Sequence, residues 1–262
     1  MMESPEASSE EDLEESAEAS SGPVLLSEEQ KPFLEHLEEL RRRLLRMILW
    51  LGIAAAVSFR FSGALLSWLI QPVGHVVFLS PVEPFIAHLK VAILGGIFLS
   101  LPLLTFEVWG FLSPALFPRE RRTVFLFIPV SVGLFVSGAW FCWRFLLPAA
   151  LKFFMSFSSE MLTPMLTVSS YTSFAGWLLV AAGLLFQLPL VILLLTWLGW
   201  VSPWTLLKQW RVAFIVILIL AAVLTPTPDV ATQFLLAAPI TLLYFLSVGL
   251  AFFFTRKVRQ GV

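Results

Sequence analysis

Two apolar runs flank a charged stretch at residues 111–122, Phe-Leu-Ser-Pro-Ala-Leu-Phe-Pro-Arg-Glu-Arg-Arg, and this arrangement leaves the chain few options. Residues 86–112 carry only two charges, Lys90 and Glu107, and residues 123–150 carry only Arg144. Each run exceeds the roughly 20 apolar residues that cross a bilayer. The stretch between them therefore emerges into water. Arg119, Arg121 and Arg122 assign it to the cytoplasmic side, because basic residues collect in cytoplasmic loops. A lone acid, Glu120, sits among them.

Composition agrees. The chain is 58% hydrophobic and 13% charged, against roughly 45–50% and 25% in a soluble domain. The net charge of −1 conceals segregation, since ten of the 18 acids fall in the first 29 residues. Residues 1–27 are rich in Glu, Ser and Ala and poor in large apolar side chains, so they are expected to form a disordered acidic tail. Residues 28–262 form the membrane domain. A single cysteine, Cys142, excludes an intrachain disulfide, and the scattered His36, His75 and His88 offer no metal site. Nucleotide-loop, zinc-helix and nucleophile-elbow signatures are absent, so the chain is not expected to be an enzyme or to hold a cofactor.

Residues 33–46 place apolar side chains at helical spacing, with glutamates early and arginines late, an order that suits the helix dipole. They predict an amphipathic cytoplasmic helix leading into a first span at 44–59. Further spans are expected at 86–112, 123–150, 172–198, 212–224 and 231–255, with a short interfacial helix at 65–69. Six spans put both termini on one side, and thirteen of the 17 basic residues fall in the segments this topology makes cytoplasmic. Residues 152–171 become an external segment. Pro102, Pro129, Pro148, Pro189 and Pro239 interrupt the spans and should bend them around a concavity or serve as packing kinks. The fifth span, at 13 residues, is short for the bilayer. Trp109, Trp197, Trp200, Trp204 and Trp210 read as an aromatic belt on the cytoplasmic side.

Polar groups in spans are the first functional candidates, because burying them in lipid is costly. Glu107 either snorkels to the interface or pairs with a nearby arginine. Gln187 either hydrogen-bonds a neighbouring helix or serves a site. Asp229 either caps the sixth span or, with Thr225 and Gln233, marks a site at its outer start. Arg144 reads as an interfacial snorkeler. Glu39 and Glu120 are cytoplasmic carboxylates able to accept the planar fork of a guanidinium, which lysine lacks. A secondary transporter of small solutes is the competing class, but no convincing internal repeat supports it.

Four motifs carry a resemblance. His36-Leu-Glu-Glu-Leu-Arg41-Arg-Arg43, Phe106-Glu-Val-Trp-Gly-Phe-Leu-Ser-Pro-Ala-Leu116 with Glu120-Arg-Arg122, Phe186-Gln-Leu-Pro189 and Leu224-Thr-Pro-Thr-Pro-Asp229 closely resemble the TatC family, the large receptor subunit of the twin-arginine protein translocase. The resemblance implies an all-α polytopic fold of six transmembrane helices in a concave, glove-like bundle with cytoplasmic termini. It implies a receptor for twin-arginine signal peptides of folded cargo, in the cytoplasmic (inner) membrane of a prokaryote, with export driven by the proton gradient. Glu39, Glu120, Arg41 and Phe111 fall on its signal-peptide-binding positions. Gln187, Thr225 and Gln233 fall where small single-span subunits of the TatA and TatB type dock, and Asp229 matches an outer acid. At Gln187 the family carries a glutamate; at Glu107 many relatives are expected to carry glutamine. The implied partners are those subunits, the signal peptides, the lipid bilayer and further copies of the chain, with no nucleic acid.

Overall fold

The structure, a computed structural model, describes residues 30–112, 121–157, 165–224 and 230–259. The chain comprises two units, Met1–Arg42 and Arg43–Val262. Helix α1 (Gln30–Phe59) carries the boundary between them. It is followed by α2 (Ser62–Ile70), α3 (Glu83–Leu112), α4 (Arg121–Phe141), a π-helical turn (Cys142–Leu146) and α5 (Leu147–Met155). Then come α6 (Val168–Leu185), α7 (Leu188–Trp197), α8 (Pro203–Lys208), α9 (Trp210–Leu224) and α10 (Val230–Arg259). In the first unit an exposed Glu38–Arg42 pair at 3.8 Å, one turn apart, adds little to stability.

The expectation of an all-helical, polytopic membrane chain holds. Four helical stretches are long and apolar enough to cross a bilayer: Glu83–Phe111, Phe127–Met155, Val168–Thr196 and Thr232–Phe252. The remaining two expected spans differ in form. The first continues after a turn at Arg60 and Phe61 into α2, which departs from α1 by 82°. The fifth, Trp210–Val223, is short. The 15 residues of α9 rise about 22 Å, against about 30 Å of hydrocarbon.

Prolines decide where helices are interrupted. Pro102, Pro129 and Pro239 stay within α3, α4 and α10. Pro148 and Pro189 stand in the first turns of α5 and α7, where the missing N–H is tolerated. Just before Pro148 the helix widens, and Leu147 N–H donates to the Cys142 carbonyl five residues back. This wider turn removes the clash between the proline ring and the preceding carbonyls. The third span thus runs to Met155, so Lys152, expected in an external segment, lies on the helix. Before Pro189 the fourth span breaks at Phe186 and Gln187.

Within the second unit the fourth span is the centre of the packing. In the most apolar window of Val168–Thr196 a 61% share is buried, against 39% in each of the other three long spans. Helices come close where side chains are small, as membrane packing favours. A Cβ on Gly96 would stand 2.7 Å from the Ala55 backbone, and one on Gly138 would stand 2.8 Å from the Ala182 carbonyl. Buried hydroxyls tie in the short helices: Tyr171 donates to the Leu69 carbonyl at 2.6 Å and Tyr244 to the Leu206 carbonyl at 2.8 Å. Far from Glu107, Lys90 donates to the Ser169 and Ser173 hydroxyls at 2.8 and 2.7 Å, joining α3 to α6.

Gly138→Ala should lower stability by about 1–3 kcal/mol, because backbone must move to admit the methyl group. Gly52, with nothing within 4 Å of an added Cβ, should tolerate alanine or gain from it. Thermal unfolding of the two variants in detergent measures the difference.

Candidate functional site

Glu107 is the buried acid around which the far end of α3 is built, with 4% of its surface exposed. Next to it Trp109 is buried against Phe127, ring centroids 5.0 Å apart, in an apolar cluster with Leu190, Leu193 and Ala251. Trp109 therefore does not belong to the expected aromatic belt; the cluster excludes it from the surface. Trp200 and Trp204 are largely exposed and Trp210 is partly so, as a belt requires.

Two arginines of α1 converge on the Glu107 carboxylate. Arg46 Nη2 lies 3.1 Å from Oε2 and Arg43 Nη1 lies 3.3 Å from the same oxygen. Residues three apart share a helix face, so both guanidinium groups reach one acceptor. Arg43 Nη1 also donates to the Glu107 carbonyl at 3.4 Å. A Cβ on residue 110 would stand only 2.4 Å from Arg43 Nη1, so Gly110 leaves the guanidinium its place. Of the two readings of Glu107, pairing is the one realised. Burial explains why: a lone carboxylate out of water is unfavourable, and charge-assisted bonds offset that cost. The sequence reading allowed an arginine partner but did not single out Arg43 and Arg46, which it assigned to the amphipathic helix and to the topology. Their spacing of three was the available signal.

Phe111, one turn beyond Glu107, is half-buried. In the first unit Glu39 is half-buried and Arg41 exposed. Glu120, Thr225 and Asp229 lie outside the described residues. Gln187, at the break in the fourth span, exchanges two hydrogen bonds with one residue of α4. The Ser131 hydroxyl donates to its Oε1 and its Nε2 donates to the Ser131 carbonyl, both at 2.8 Å. The amide is thus satisfied within the chain, through a serine the sequence reading did not single out. Gln233 Nε2 donates to the Leu218 carbonyl at 3.0 Å, fastening α10 to the short α9. The Arg144 guanidinium lies 5.6 Å from the centre of the Phe145 ring. Among the described residues, no group of three or more His, Cys, Asp or Glu could hold a metal.

Residues 35–239 match the family model described as Sec-independent protein translocase protein (TatC). The Sec-independent protein translocase protein TatC of Carboxydothermus hydrogenoformans is 37% identical over 239 residues, covering 89% of this chain and 98% of the relative. That of Aquifex aeolicus is 36% identical, covering 87% and 98%. A solved structure titled "Crystal Structure of Twin Arginine Translocase Receptor- TatC" superposes with a TM-score of 0.71 at 32% identity, covering 84% of this chain and 99% of that one.

Glu107→Gln should cost about 3 kcal/mol, since it leaves the partly buried Arg43 without its acid. Arg46, nearly half exposed, should cost less than about 1 kcal/mol when changed to glutamine. Denaturant unfolding in micelles ranks the two; equal costs would contradict this unequal role.

Proposed function

The chain belongs to the TatC family of Sec-independent protein translocase proteins, and from that premise we propose that it is the signal-peptide receptor of a twin-arginine translocase. The observation that carries the reading is the likeness to a structure titled as that receptor, at 99% coverage of its length. The two cytoplasmic carboxylates of the motifs, Glu39 and Glu120, supply the chemistry. Each accepts a guanidinium through paired, charge-assisted bonds, and together they distinguish Arg-Arg from Lys-Lys. Arg41 and Phe111 flank them in sequence or motif and complete the contact with the peptide.

On this reading the chain crosses the cytoplasmic membrane of a prokaryote six times in a glove-like arrangement, with both termini in the cytoplasm. Small single-span subunits dock at the short α9 and the start of α10, with Thr225 and Gln233 as contact positions, and Asp229 is the outer acid of the Pro-rich motif. Gln187 contributes there by holding the broken fourth span to α4. Folded cargo is exported by a complex of these subunits with several copies of the chain, driven by the proton gradient. Glu107 speaks against a small-solute transporter. It is the one acid among the described buried residues, and two arginines engage it.

A fluorescent Arg-Arg signal peptide should bind the purified protein about tenfold more tightly than its Lys-Lys counterpart, the worth of one charge-assisted bond. Glu39→Ala or Glu120→Ala should abolish the preference. Equal binding of both peptides to all three proteins would remove the receptor reading.

A further inference from the structure

At the end of the second unit opposite Glu107, a cavity of about 780 Å³ opens between α1, α2, α3, α4 and α6. Packing gaps in protein interiors seldom exceed one water molecule, whereas small-molecule sites occupy roughly 300–1,000 Å³. Its floor is Leu69, Val91 and Leu179, each at most 2% exposed. Its mouth is formed by the exposed Phe61, Trp68, Leu99 and Trp140. Ser58 supplies the one hydroxyl of the lining, and no charged side chain takes part.

Two arginines lie next to the mouth along the chain. Arg60 precedes Phe61 at the turn between α1 and α2, and its side chain is exposed. Arg144 stands on the π-helical turn, four residues after Trp140 of the mouth, and is exposed. That turn adds one residue to the helical repeat, so residues five apart share a face. Trp140 and Phe145 accordingly meet edge to face with centroids 6.1 Å apart, and the Arg144 guanidinium lies against Phe145. The same turn stacks Trp143 on Trp68, centroids 4.6 Å apart and planes within 10°, fixing one wall of the mouth. Neither Arg60 nor Arg144 has an ion-pair partner among the described residues.

We infer that this cavity binds a phospholipid with an anionic headgroup, one acyl chain in the cavity and the phosphate between Arg60 and Arg144. Three arguments select that occupant. An apolar lining satisfies no backbone group, so an extended peptide segment would be left with unpaired amides. A helix about 10–12 Å across would fill this volume with under two turns. An acyl chain carries no polar group to satisfy. The tryptophans at the mouth belong at headgroup level, where the arginines meet a phosphate. Because surrounding lipid is as apolar as the lining, the acyl chain provides shape without preference. Selectivity must then come from the two guanidinium groups.

Native mass spectrometry of the full chain, with phosphatidylglycerol or phosphatidylcholine added to the micelles, tests this. One phosphatidylglycerol should be retained in preference to phosphatidylcholine. An arginine near anionic lipid is worth about fivefold, so Arg60→Gln and Arg144→Gln should each lower the preference by about that factor. Both side chains are exposed, so neither change disturbs the core. Leu99→Trp, which blocks the mouth, should remove the bound lipid whatever its headgroup. Identical lipid retention by all four proteins would overturn the inference. One-for-one displacement of the lipid by an Arg-Arg signal peptide would also overturn it, since the cavity would then belong to the cargo.

Discussion

A backbone that crosses lipid must satisfy its own hydrogen bonds, and most features of this chain follow from that requirement. It makes the spans helical and turns every proline into a local problem. Three prolines stay inside long helices, while Pro148 and Pro189 coincide with a π-helical turn and a break. Each interruption is put to use. The π-helical turn sets Phe145 against Trp140 and Trp143 against Trp68, two residues at the mouth of a cavity. The break exposes Gln187 to Ser131, so that two side chains stabilise the place where the main-chain ladder is interrupted.

The same constraint governs the charges. An ionised group away from water needs a partner within reach, and Glu107 and Lys90 each have one. Glu107 meets Arg43 and Arg46; Lys90 meets two serines of α6. Glu107 and Gln187 differ from what the family resemblance leads one to expect, an acid where glutamine is common and an amide where the family has an acid. Each has its own partner inside this chain, the one between α1 and α3, the other between α4 and the break in the fourth span. The exchange is therefore accommodated locally, with no direct contact needed between the two positions.

Much of the fold was legible beforehand. Span existence, span order and the short fifth span follow from hydropathy, which is a property of composition over about 20 residues. Boundaries were less legible. The third span overran its expected end to Met155 because Leu151 and the aliphatic stem of Lys152 continue the helix, and a single charged terminus can snorkel. Trp109 was misplaced because a tryptophan near a span end reads as a belt residue until Phe127 from another helix is known to cover it. Glu39 and Arg41 were legible as motif positions, and their placement in the first unit adds only their burial.

The sequence by itself determined that this is a many-span helical membrane protein of the TatC family, because both conclusions rest on local pattern and motif order. Tertiary structure alone decided which arginines hold Glu107, that Ser131 completes Gln187, and that α1, α2, α3, α4 and α6 enclose a cavity. The contacts of Glu107 and Gln187 join residues 56 to 64 positions apart. Hydropathy averages along the chain and cannot register them; they exist only once helix packing brings distant faces together.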